Sequence, residues 1–173
     1  MTDNILFSTR PAADLKDFLR MKNYSKLAVL TDEHTALHCY PLVRDSLPSH
    51  ERIEIPSGEE HKDIGTCELI WDKMTALQMD RHSALLIIGG GVLGDMGGFC
   101  AATYKRGIDF ILVPTTLLSQ VDASIGGKLG VDFRNFKNHI GVFKTPVLTL
   151  LHSGFLATLP EAEKRSGFAE VIK

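Results

Sequence analysis

Two stretches of this chain bring together residue types that can do chemistry. The first is Gly89-Gly90-Gly91-Val92-Leu93-Gly94-Asp95-Met96-Gly97-Gly98, which directly follows the apolar run Ala84–Ile88. Glycine has no Cβ and tolerates left-handed backbone, so a glycine-rich exit from a buried strand lets the main chain approach a ligand closely. In open α/β sheets that strand end is where ligands bind. The spacing Gly89-x-Gly91-x-x-Gly94 matches the dinucleotide fingerprint letter by letter. Its context differs: it opens a middle βα unit, and about 20 residues on, where an acidic residue is expected, the chain reads Leu112-Val113-Pro114-Thr115. No Gly-Lys-Ser/Thr follows, so it is not a P-loop. The physical content survives, because a glycine turn at a helix N-terminus offers N–H groups and a positive dipole end to phosphate. The blander alternative is that Gly94, Gly97, Gly98 and Ala101 form a stripe for tight helix packing. The two readings are compatible.

The second stretch is Asp122-Ala123-Ser124-Ile125-Gly126-Gly127-Lys128, with Lys137-Asn138 following and Arg106 preceding. A glycine pair before a lysine lets backbone and ammonium approach one anion together. Each residue alone reads equally as a solvated cation or a polar turn; together with the glycine turn they point to an anionic substrate beside a cofactor. Near the end, Glu170 and Lys173 stand three apart, opposite an apolar face of Phe168, Val171 and Ile172. On spacing alone they form an exposed ion pair worth a few tenths of a kcal/mol. The seven histidines are read as surface or structural groups, so a zinc site built within this chain alone is not expected.

The elements that must position these residues alternate. Lys26–Thr31, Arg52–Ile55, Ala84–Ile88, Phe110–Val113 and Val147–Leu151 read as strands. Helices are expected over Glu33–Leu47, from a Ser57-x-x-Glu60 capping box to about Met79, over Val92–Tyr104, and over Leu117–Ala123 with Thr115 as its cap. Such alternation with continuously apolar strands predicts an α/β fold, a Rossmann-like parallel sheet with helices on both faces. A last helix starts at Thr158-Leu159-Pro160-Glu161 and reaches Lys173 without a C-cap glycine. The chain is therefore expected to be the N-terminal portion of a longer protein.

With 173 residues, 44% of them hydrophobic and 23% charged, one substantial core is possible. A formal net charge of −2 with dispersed Lys and Arg excludes the basic stripe of a nucleic-acid binder. Cys39, Cys67 and Cys100 are odd in number and widely spaced, which fits reduced thiols better than a disulfide framework. No signal-peptide pattern or membrane-length apolar run is present, so a cytoplasmic protein without membrane partners is expected.

The motifs taken in order resemble one family. Gly89–Asp95, Tyr104–Ile108, Val113–Leu118, Val121–Lys128, Lys137-Asn138, Thr158–Glu161 and Ala169–Lys173 together are similar to the 3-dehydroquinate synthases, sugar-phosphate cyclases of the shikimate pathway. The resemblance is strong from about Ile55 to Lys173 and looser before. It implies an NAD-binding α/β domain over residues 1–158. Residues 159–173 would be the first helix of a helical metal- and substrate-binding domain otherwise missing here. Asp32, Ser57, Gly58, Glu59, Glu60, His61, Lys62, Gly91, Val92, Leu93, Gly94, Asp95, Thr115, Thr116, Lys128, Lys137, Phe155, Leu156, Ala157 and Thr158 would border NAD. Asp122, Lys128, Asn138 and Lys173 would line the substrate site, and Arg106 would reach substrate phosphate across a homodimer interface. Glu170 would be the first ligand of a divalent metal, zinc or cobalt, with two histidines beyond residue 173.

The implied reaction converts 3-deoxy-D-arabino-heptulosonate 7-phosphate to 3-dehydroquinate with loss of phosphate. A related cyclase such as 2-deoxy-scyllo-inosose synthase and a non-catalytic NAD-binding module are the alternatives; a metal-dependent polyol dehydrogenase is more remote. Three positions depart from the family's pattern: His34 where asparagine is usual, Ser57 where aspartate is common, and His152 in place of aspartate.

Overall fold

The computed structural model describes residues 4–124 and 126–172; Lys173, expected in the substrate site, lies outside them. Six strands form one parallel sheet in the order β1-β8-β5-β4-β2-β3, where β1 is Ile5–Phe7, β2 Leu27–Thr31, β3 Glu51–Glu54, β4 Ala84–Gly89, β5 Asp109–Pro114 and β8 Leu148–Leu151. All five residues of β2 and all six of β4 are buried. A parallel strand covered on both faces has no solvent side, which is why these read as unbroken apolar runs.

Alternate side chains along β4 feed two cores. Leu85 and Ile87 join Ile70, Met74, Met96 and Cys100 on one face, against α3 (Ile64–Ala76) and α4 (Gly91–Thr103). Ala84, Leu86 and Ile88 join Leu15, Leu19, Cys39 and Phe155 on the other, against α1 (Pro11–Lys22) and the segment after α2 (Glu33–His38). An antiparallel hairpin, β6 (Lys128–Phe133) with β7 (Phe136–Phe143), packs on α4 from outside.

α4 is therefore enclosed on two sides, and its small residues follow from that. A Cβ on Gly97 would lie 2.6 Å from Leu30 Cδ2 in the sheet, and one on Gly98 2.5 Å from Leu129 Cδ2 in the hairpin. The packing stripe and the glycine turn are both present, at opposite parts of one helix.

Several boundaries differ from expectation, each for a local reason. The helix predicted over Glu33–Leu47 ends at His38 and continues as two single turns, Tyr40–Leu42 and Arg44–Ser46. Pro41 lacks an N–H and its ring collides with the carbonyl four residues earlier. The Ser57 capping box does not open α3. Asp63 does, accepting the Thr66 N–H at 2.8 Å, while Ser57 donates through N and Oγ to the Glu33 carboxylate at 2.9 and 2.6 Å. Thr116 rather than Thr115 caps the segment after β5. Its Oγ1 accepts the Ser119 N–H and its own N–H donates to Ser119 Oγ, both at 3.2 Å, and Ser119–Ala123 is wound as a π-helix.

The last helix, α5 (Glu161–Ile172), presents the opposite face from the one expected. Gly167 is its buried residue, seated where a Cβ would lie 2.6 Å from the Leu118 backbone nitrogen. Phe168, Val171 and Ile172 are 57%, 52% and 76% exposed, and Glu170 is half-buried on the inner side. Backbone-to-backbone approach at a glycine, not apolar side chains, sets how this helix meets the sheet domain.

Candidate functional site

Because every strand of the sheet is parallel, all their C-terminal ends share one edge. From β2 the chain passes through α2 to β3 on one side; from β4 it passes through α4 to β5 on the other. The adjacent ends of β2 and β4 thus form a switch point, with α2 and α4 departing on opposite faces of the sheet. Such a crevice is where open α/β sheets take ligands.

A cavity of about 620 Å³ lies there. It is lined by Asp32, Ser57, Gly58, Glu59, Lys62, Gly91, Val92, Leu93, Asp95, Thr115, Thr116, Phe155 and Thr158, all expected from the sequence. Asp32 caps α2, accepting from the Thr35 N–H at 2.7 Å. Gly58 has φ 112°, a conformation glycine adopts without strain, and it turns the chain from β3 toward Glu59 and Lys62. Gly90 caps α4 without a side chain, so the first-turn N–H groups open toward the cavity. Gly94 lies instead in a narrow hollow of about 20 Å³ beneath, with Gly89, Gly91 and Asp95.

Glu60 and His61 share the turn with Glu59 but do not line the cavity. Leu156 faces a separate groove toward α5, and Ala157 also lies off the cavity. Residues not expected from the sequence also line the wall, among them His34, Thr35, His38 and Cys39 on α2 and its end, Met96 on α4, and Leu159, Pro160 and Glu163. The α2 group was available as a helical face, since positions 34, 35, 38 and 39 project together from the capping aspartate. His34 and His38 are also one turn apart, a spacing that two metal-ligating histidines can share. Among the described residues, however, no group of three or more His, Cys, Asp or Glu is placed to hold a metal ion.

Lys128 and Lys137, expected to border NAD, do not line the cavity; with Asn138, expected on the substrate side, they are carried by the hairpin. Lys128 opens β6 and is exposed; Lys137 and Asn138 lie at the start of β7. Lys137 Nζ bridges Glu59 at 2.9 Å and Asp132 at 2.7 Å. That contact, chiefly the Asp132 hydrogen bond, raises the lysine's pKa, and the Lys137 ammonium holds Asp132 below the usual carboxylate range. Behind them Lys62 Nζ donates to Asp95 Oδ2 and to Asn138 Oδ1, each at 2.7 Å. Burial pushes the Asp95 carboxyl up against the opposing pull of Lys62, and the Glu59 charge adds to the rise.

Arg106 lies at the other end of α4, about 20 Å along the helix from the glycine turn. It occupies a turn in which Lys105, Arg106 and Gly107 have φ of 52°, 67° and 110°. Lys144 Nζ donates to the Ile108 carbonyl at 2.9 Å and so ties that turn to the hairpin's end. Asp122 is exposed on the π-helical segment. Of the departures from the family's pattern, His152 has a structural place: its Nδ1 is 2.8 Å from the Ser8 carbonyl, and its ring stands edge-on to Phe155 at 5.3 Å.

Comparison with known proteins places this geometry. The family model for the 3-dehydroquinate synthase N-terminal region matches residues 52–166. A 3-dehydroquinate synthase of Halorhodospira halophila is 45% identical over 148 residues, covering 84% of this chain and 42% of that protein. One from Sulfurovum sp. is 48% identical over 151 residues, covering 86% of this chain and 43% of that protein. The chain thus spans less than half the length of these relatives.

Among solved structures, 2-epi-5-epi-valiolone synthase from Streptomyces hygroscopicus subsp. jinggangensis, with NAD+ and Zn2+ bound, superposes with a TM-score of 0.85 at 32% identity, covering 97% of this chain and 48% of that one. A 2-deoxy-scyllo-inosose synthase complexed with carbaglucose-6-phosphate, NAD+ and Co2+ shares the fold, with a TM-score of 0.86 at 22% identity over 97% of this chain and 48% of that one. With a family match across two thirds of its residues and relatives 45% and 48% identical over more than four fifths of its length, the chain belongs to the 3-dehydroquinate synthase family.

Proposed function

We propose that the switch-point cavity binds NAD and that this chain is the dinucleotide-binding half of a 3-dehydroquinate synthase, with residues 1–158 as that domain and α5 leading into the next. The observation that supports it most is the N-terminus of α4, which no side chain caps, opening into a cavity of about 620 Å³ rimmed by Asp32, Thr115 and Thr116. First-turn N–H groups and the helix dipole suit a pyrophosphate. Asp32, whose Oδ1 is occupied by the cap, keeps a second oxygen for a ribose hydroxyl. NAD, when bound, supplies reversible hydride transfer at a substrate hydroxyl.

The chain's own groups then do the holding. In this reading Lys128 and the Asn138 amide, the latter joined to the cavity wall through Lys62, donate to substrate oxygens, and Arg106 of a second copy brings a guanidinium to the phosphate. Positive charge there stabilises the phosphate as it leaves. By the same reading the substrate is 3-deoxy-D-arabino-heptulosonate 7-phosphate; the relatives carry the name 3-dehydroquinate synthase. By the resemblance Glu170 would be one carboxylate ligand of a divalent metal; among the described residues no group of three or more His, Cys, Asp or Glu is placed to hold one. We propose further that these 173 residues alone bind the dinucleotide but do not turn substrate over.

Calorimetric titration with NAD tests the first part: saturable heat is expected, and its absence at millimolar NAD refutes a preformed site. Phosphate release from the heptulosonate phosphate by this chain, above a Lys128→Ala control, would overturn the second.

A further inference from the structure

Lys62 sits where the cavity, α4 and the hairpin meet, and it is 4% exposed. Its ammonium donates to Asp95 Oδ2 and Asn138 Oδ1 at 2.7 Å each. Its carbonyl accepts the Asp132 N–H at 2.8 Å, and Asp132 Oδ1 in turn accepts the Asn138 N–H at 2.7 Å. Asn138 is thereby held at both backbone and side chain, in a left-handed conformation with φ 49°. An ammonium has three donors and no acceptor. It can face the amide of Asn138 only through oxygen, which leaves the NH2 group pointing away.

We propose that Lys62 acts as a positioning residue: it fixes Asn138 as a donor-only group on the substrate side and Asp95 as an acceptor-only carboxylate at the cavity wall. This rests on the reading of the cavity as an NAD site beside a substrate pocket. It adds a selection rule. The Asn138 position takes a hydroxyl, carbonyl or phosphate oxygen and rejects an ammonium, which would find N–H groups where it needs an acceptor. The Asp95 position takes hydroxyl or amide donors. The charged groups acting on Asp95 are Lys62, which favours its ionised form, and Glu59, which opposes it. Burial also opposes it, so the carboxylate depends on Lys62.

The test follows the Asp95 carboxyl carbon by NMR through a pH titration in this chain and in Lys62→Met and Lys62→Arg. Losing an opposite charge within hydrogen-bond distance should move the midpoint up by about one to three units in Lys62→Met. Lys62→Arg should hold the midpoint near wild type while shifting the Asn138 side-chain amide resonances, since a planar fork cannot occupy the ammonium's position. A Lys62→Met midpoint at or below wild type overturns the proposal. Where Lys62→Met does not fold, an unshifted Asn138 amide in Lys62→Arg overturns it instead.

NAD titrations run in parallel should show affinity in Lys62→Met falling as pH drops through the raised midpoint. A uniform loss at every pH with an unmoved midpoint would make Lys62 a direct ligand and refute the positioning role. Failure of the unaltered chain to bind NAD would remove the functional reading alone, with the carboxyl titration still deciding the role of Lys62.

Discussion

Replacing Gly97 by alanine should destabilise the fold, whereas the same change at Gly94, one turn earlier on α4, should stabilise it. At Gly97 the added Cβ would lie 2.6 Å from Leu30 Cδ2 and 3.0 Å from Ile87 Cδ1, against ordinary carbon contacts of about 3.5–4 Å. Leu30 and Ile87 are register partners on β2 and β4, 0% and 1% exposed, so neither can retreat without displacing the other strand's packing. Overpacking of this kind costs about 1–3 kcal/mol. Alanine's better helix propensity returns up to about 1 kcal/mol. The net loss of roughly 1–2 kcal/mol corresponds to a fall in Tm of about 2–8 °C for a chain of this size. At Gly94 the nearest atom to the new Cβ is Leu112 Cδ2 at 3.9 Å, an ordinary contact, so the propensity gain stands nearly alone. Thermal unfolding followed by circular dichroism measures both. A Gly97→Ala chain melting at or above wild type, or a Gly94→Ala chain melting below it, would refute the claim that the sheet sets the size limit at 97.

Two further outcomes follow from local structure. Asp63→Ala should cost about 1 kcal/mol by removing the cap of α3, while Ser57→Ala should leave α3 unaffected; equal losses in denaturant midpoint would show that the capping assignment is mistaken. Burial, with a smaller push from the Asp32 charge, raises the Cys39 thiol from 9.0 to about 11. At pH 8 its thiolate fraction, and so its alkylation by iodoacetamide, should be about a hundredfold below that of the unfolded chain. Between pH 9.0 and about 11 the unfolded state gives up a proton that the folded state keeps, so stability should fall as pH rises across that window. A denaturant midpoint that climbs there would contradict the burial of this thiol.

The central strands were legible because complete burial leaves a one-letter signature: β2, β4, β5 and β8 are short aliphatic runs with punctuated ends. The glycine turn and Thr115-Thr116 were legible for the same reason, since each directly follows such a run. The hairpin was not. Every residue of β7 is exposed or half-buried, so Phe136–Phe143 carries no clean alternation, and Lys137-Asn138 read as a solvated cation or a polar turn. Helix α1 gave little signal because only Leu15 and Leu19 are buried on it. On α5, periodicity identified which residues share a face but not which face meets the body; Gly167 decided that by letting two backbones touch. The network joining Lys62, Asp95 and Asn138 spans separations of 33 and 76 residues, which no local pattern encodes.

The turn at Lys105-Arg106-Gly107 places an arginine where the backbone by itself would favour glycine or asparagine. A left-handed conformation costs a β-carbon-bearing residue about 1–2 kcal/mol, and no gain in packing at this turn requires a guanidinium. Selection acting on folding alone should therefore move position 106 toward glycine, and the phosphate-binding role proposed for Arg106 would oppose that drift. A library randomised at this one codon and sorted for stability alone would read the first pressure, and an arginine that persisted there would show that the side chain serves the fold.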